Sequence, residues 1–244
     1  MNKKFVNAVL LASLLVPAST WVFAETSGSG ATTQPGTTVR ERAAEKREEL
    51  KEAIEARRTA LEKTREEFKT KLESVREEFK TKLETKREEF KTRLVKIKDE
   101  RKKEITERLY NRFNEINQKM TTHWGNALDR LTDALGKISS RADKAAAEGI
   151  DVTAVRTGIT SAEASIVKAR TAVTTQAGKV YTINVTDEAN LKSEVAAVRE
   201  ALNKDMKVVK EVVEAARKSV VDVLRLLRGI PRIDDITSTS DDSN

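Results

Sequence analysis

His123 is the single histidine of this chain, and cysteine is absent. One imidazole with no thiolate cannot build the three- or four-ligand sets that hold catalytic or structural metals. Carboxylates and bases are abundant, at 35% of all residues. They alternate along the chain instead of converging, the habit of a solvated helix face and not of a general acid–base pair. No glycine-rich phosphate loop and no nucleophile motif accompanies them. The sequence therefore carries no catalytic, cofactor-binding or metal-ligating set; we expect a protein that is not an enzyme and needs no cofactor. Trp124, beside His123, falls on an apolar spacing and is expected in a core.

The chemistry that remains lies in charge and in apolar spacing. Residues 40–119 hold 26 Lys and Arg against 20 Asp and Glu, whereas residues 120–244 hold 18 of each. The excess is densest over 91–103, where Lys91, Arg93, Lys96, Lys98, Arg101, Lys102 and Lys103 face only Asp99 and Glu100. Such a patch suits an anionic membrane or an anionic cell-wall polymer. Nucleic acid is an unlikely partner, because no aromatic side chain interleaves the bases. The plainer reading is a solvated charged helix. Asn184-Val185-Thr186 fits a glycosylation sequon; with a leader of bacterial type, a chance match in a loop is expected.

These charges sit on a repeat. REEFKTKLESV, REEFKTKLETK and REEFKTRLVKI occupy 65–75, 76–86 and 87–97. Eleven residues over three turns is about 3.67 per turn, close to the 3.6 of a straight α-helix, so the apolar positions form one thin stripe with a slight right-handed drift. Phe68, Leu72, Phe79, Leu83, Phe90 and Leu94 form that stripe. They have no assured partner elsewhere in the chain and are the candidate association seam. Glu67/Lys71, Glu78/Lys82 and Glu89/Arg93 place acid four residues before base, the stabilising orientation, worth roughly 0.2–0.5 kcal/mol each. Bases border the stripe and acids lie opposite, as in the lipid-binding helices of apolipoproteins; a coiled-coil seam or charged spacer is the blander alternative.

The elements that must position these features are helices. Between Pro35 and Pro231 no proline interrupts the chain, and proline is what would break a helix interior. We expect one helix from about 40 to 147, about 160 Å long if unbroken. A fold-back or phase shift is allowed at 57–64, where the arginine spacing slips. Gly149 suits a left-handed C-terminal position and Asp151 an N-cap. A second helix is expected at about 152–177, with a heptad seam from Val152 to Val173. An extended connector follows over 179–186, and a third helix over about 187–228, stopped by Gly229 and Pro231.

Ahead of these helices, Lys3, Lys4, the apolar run 5–16, Pro17 and Val22-Phe23-Ala24 read as a secretory signal peptide cleaved after Ala24,; retention as an anchor is the alternative. Residues 25–39 read as a flexible linker and 231–244 as a disordered tail.

The expected architecture is thus all-α: an extended charged helix over 40–103 leading into an antiparallel three-helix bundle over 104–230. The leader, the REEFKTKLE repeats, DERKK (99–103), GIDVTAV (149–155), TTQAGKVYTINV (174–185) and LLRGIPR (226–232) together resemble exported helical proteins of candidate-phyla-radiation (Patescibacteria) bacteria, over residues 40–231. The resemblance implies export and carries no site residues. A more distant resemblance, to the periplasmic chaperone Skp with its long helical arms, implies a holdase. The expected function is that of an exported structural or interaction protein, a rod or spacer in the cell envelope or outside the cell. Self-association or another envelope protein would be its partner.

Overall fold

A computed structural model describes residues 39–230, except for the side chains of 39–40, 42–44, 46–47 and 50. The expected leader (1–24), most of the linker (25–39) and the tail (231–244) lie outside the described residues. Among the described residues there are four helices: α1 (Val39–Leu94), α2 (Glu100–Ala147), α3 (Thr153–Ala177) and α4 (Leu191–Arg228). The protein is an all-helical bundle. α2 and α3 form the central pair. α1 packs on both, and α4 packs on both.

The long first helix expected over 40–147 is two helices. α1 runs unbroken through 57–64, and the reversal falls at 95–99. No glycine or proline marks that turn. Lys96 N–H donates to the Arg93 carbonyl and Ile97 N–H to the Leu94 carbonyl, tightening the last turn of α1. Asp99 then caps α2 by accepting from the Arg101 and Lys102 amides,. Glu188, from the α3–α4 connector, accepts the Lys98 and Asp99 amides at 3.0 and 3.4 Å. The amides that a continuous helix would have satisfied internally are therefore taken by two carboxylates. Ile97 leaves the helical path and is buried. The repeat helix thus belongs to the bundle instead of extending away from it, and four helices replace the expected three.

The eleven-residue repeat now has a structural meaning. α1 runs antiparallel to α2, and α2 carries the matching spacing. Arg65, the first residue of one repeat copy, pairs with Asp133 at 3.1 Å, and Arg76, first in the next, donates to Thr122 at 2.8 Å. Arg87 begins the third copy and shares a cavity wall with Asn111. Leu61 and Leu72 lie over Gly136 and Gly125, where an added Cβ would come within 3.4 Å of each leucine. Two straight stripes of equal period stay in register, so a seam of few apolar residues can be buried along its whole length.

α2 ends at Gly149, whose φ of +80° is the left-handed conformation expected for it,. Asp151 accepts from the Thr153 amide at 2.9 Å and opens α3. α4 begins at Leu191, a turn later than expected, because Asp187 and Asn190 close a turn of their own.

Two apolar clusters fill the bundle. One gathers Phe68, Trp124, Leu128, Ile159, Val173 and Val220 around α3. The other gathers Phe90, Tyr110, Phe113, Tyr181, Ile183 and Leu202, where α3 has ended and the extended residues 179–186 take its place.

Candidate functional site

The six expected association residues are used within the chain. Phe68, Leu72, Phe79, Phe90 and Leu94 are buried, Phe79 completely, and Leu83 is partly buried against the second cluster. The premise that this stripe lacks a partner in the chain does not hold for the folded monomer: α2 and α3 cover it. Phe90 stacks on Tyr110 with ring centroids 4.5 Å apart. The Arg170 guanidinium lies 4.8 Å over the Phe68 ring.

Arg170 is a residue that pattern reading passed over. It is buried, and its donors reach the Thr64 carbonyl (3.1 Å), the Asp129 carboxylate (3.3 Å) and the Thr132 hydroxyl (3.0 Å). Its Nε finds no partner. Burial lowers its pKa, and Asp129 opposes that shift. A second polar network, also unforeseen, ties the connector to α2. The Asn114 amide accepts from the Tyr181 amide at 2.9 Å and donates to its carbonyl at 3.0 Å, as a neighbouring strand would. Asn117 donates to the Gln176 and Lys179 carbonyls. The Tyr181 hydroxyl donates to Asp205 at 2.7 Å, and Lys179 pairs with the same carboxylate at 2.9 Å. Burial and the Asp205 bond together hold the Tyr181 phenol well above its ordinary pKa. Burial pushes Asp205 up, but the bonds from Tyr181 and Lys179 outweigh it and leave the carboxyl low. The available signal was asparagine recurring on the inward phase of α2, where a buried amide needs backbone partners.

His123 is exposed and Trp124 buried, as its spacing implied. Among the described residues no group of three or more His, Cys, Asp or Glu could hold a metal ion, and no helix is long and apolar enough to cross a membrane. A groove of about 530 Å³ between α1 and α2 has an apolar floor of Ile54 and Leu61 under Arg57, Arg65, Asp133 and Asp143. Several of its charges are engaged: Arg65 pairs with Asp133, Arg58 with Glu62 at 3.4 Å, and Arg57 lies 3.9 Å from Asp143 and 4.0 Å from Glu163.

The basic patch is brought together by the reversal. All seven residues lie on the end of α1, the turn and the first helical turn of α2. Four are engaged: Lys91 with Glu88, Arg93 with the Asn184 side chain, Lys102 with Glu188 at 2.6 Å and Lys103 with Glu100. That Asn184 contact accounts for the residue at the head of the sequon motif. Glu188 is held ionised, below its ordinary pKa, first by the Lys102 bond and then by the Lys98 amide. Lys96, Lys98 and Arg101 are exposed and form no ion pair within 4.0 Å among the described residues. Beside them stand Val95, 75% exposed in the turn, and Ile105, 52% exposed on α2. One end of the bundle therefore presents exposed bases next to bare aliphatic side chains, with Lys96 near enough to Asp187 to help hold that carboxyl low, after its bonds from Asn190. Comparison with family models, with curated proteins and with solved structures returns no match for this chain.

Proposed function

We propose that the protein is an exported, non-enzymatic helical rod that works by binding, and that the α1–α2 tip is where it meets an anionic surface of the cell envelope. The observation that carries this reading is the clustering of Lys96, Lys98 and Arg101, exposed and without an ion pair within 4.0 Å among the described residues, around the exposed Val95 at one end of the bundle. Bases of this kind are attracted to anionic headgroups within about a Debye length, roughly 8 Å at physiological salt. A neighbouring aliphatic side chain can enter the headgroup region while the lysine stems reach outward. Such binding is shallow, reversible and dependent on salt. It suits a rod held by its end, with α1 alone about 84 Å long at 1.5 Å per residue.

The test is sedimentation of the chain with anionic and with neutral lipid vesicles, and with a phosphate-bearing wall polymer in parallel. Binding to anionic vesicles should fall several-fold between 50 and 300 mM salt, and again in the variant Lys96→Gln, Lys98→Gln, Arg101→Gln. Lys80→Gln, Lys82→Gln and Lys210→Gln together remove the same charge elsewhere and should leave binding near the parent level. Binding that ignores salt, or that falls equally in both variants, defeats the assignment to the tip. Retention on the polymer alone would move the partner from the membrane to the wall.

A further inference from the structure

We infer that α1 can be exchanged between two copies of this chain: the 95–99 turn straightens, α1 and α2 become one helix, and each α1 docks in the α2–α3 groove of the other copy. Three observations meet here. The first is the turn itself, Val95-Lys96-Ile97-Lys98-Asp99, which holds no glycine and no proline. Nothing in its covalent structure requires a reversal. It is held by the local Asp99 cap and by one tertiary acceptor, the Glu188 carboxylate. Straightening replaces those bonds with ordinary helical ones at the last carbonyls of α1 and the first amides of α2.

The second observation is that the groove is made for α1. Arg170 donates to the Thr64 carbonyl and covers Phe68. Gly125 and Gly136 leave space for Leu72 and Leu61. Arg76 meets Thr122, and Phe90 stacks on Tyr110. An α1 that merely swung away would strand the Arg170 charge and bare the apolar stripe. An α1 supplied by a second copy restores every one of these contacts, because the exchanged element is identical. The occupant is therefore a second copy of this chain.

The third is charge. Exchange brings the two turns together at the symmetry axis, and each carries the bases of 91–103. At low salt that repulsion favours the closed monomer. Screening reduces it, since the Debye length falls to about 3 Å at 1 M salt.

The test refolds the chain from denaturant at high protein concentration in 1 M salt and measures mass by light scattering after size exclusion. A dimer is expected, more of it in Asp99→Ala, which removes the cap of the turn, and less when glycines are inserted after Lys96 to lengthen the turn. Exchange is separated from surface dimerisation by mixing. Arg76→Cys chains are refolded together with Thr122→Cys chains, and a flexible bis-maleimide is added; the parent has no cysteine. Exchange predicts a covalent pair of unlike chains in the dimer fraction and none in the monomer. A dimer that does not cross-link, or a chain that remains monomeric even as Asp99→Ala, overturns the inference. No anionic surface enters this experiment, so its failure leaves the binding role of the tip untouched.

Discussion

The bundle fills the same lane in two ways. Around Trp124 and Ile159 the lane holds α3; around Tyr110 and Tyr181 it holds the extended residues 179–186. A helix satisfies its own backbone, so the α3 half needs only shape, and it is lined with small residues such as Ala162 and Ala169 that let neighbours approach. An extended segment is thinner and leaves its amides open. The connector half accordingly fills its volume with aromatic rings and borrows hydrogen bonds from Asn114, Asn117 and Glu194. Tyr181, Ile183 and Val185 point inward with the period of a strand, although no strand pairs with them,. Where regular structure ends inside a core, side chains must supply what the backbone no longer supplies.

The comparison can be broken by substitution. Phe90→Ala removes a buried ring stacked on Tyr110 and should cost about 3–5 kcal/mol in denaturant unfolding. A loss below 1 kcal/mol would mean that the connector half does not rely on its aromatic filling. Next comes Asn114→Ala, which leaves the Tyr181 amide and carbonyl without partners. About 2–4 kcal/mol is expected for two orphaned buried groups, with faster hydrogen exchange at the Tyr181 amide. Its counterpart in the helix half is Thr174→Ala, whose hydroxyl bonds only its own helix, at the Arg170 carbonyl; under about 1 kcal/mol is expected there. Equal losses at the two sites would erase the distinction.

The smallest effect concerns pH. Glu188 is depressed in the folded chain, so its contribution is present above its unfolded pKa, near 4.5, and is lost as pH falls through the lower folded value,. Glu188→Gln should be less stable than the parent at pH 7, and the difference should shrink as pH falls below 4.5,. A constant difference across that window would show that the carboxylate charge does not hold the turn.

Much of the fold was legible. Helical periodicity located α3 to within a residue, and Gly149 and Gly229 stand at the expected helix ends. The connector over 179–186 is extended, as expected. The reversal at 95–99 went unread, because no glycine or proline marks it and its one local signal, the Asp99 cap, lies inside a helical spacing that continues on both sides,. For the same reason the seam residues were expected to meet another molecule. Asn114, Asn117 and Arg170 escaped notice because a polar letter in a helix ordinarily points to solvent, and only a partner 38 to 106 positions away gives it a reason to be inside.

The sequence by itself determined that the chain is helical, that its repeat lies as one straight stripe, and that its positive charge concentrates over 91–103. Those properties are local: they follow from spacing, propensity and charge within a few turns. Tertiary structure alone decided that the stripe is covered by α2 and α3, that the chain reverses at Val95, and that three of the seven bases form no ion pair within 4.0 Å among the described residues. Each of these depends on groups distant in sequence, above all Glu188 at the turn and the eleven-residue spacing of α2 beneath α1. Only the packed chain brings such groups within hydrogen-bonding reach.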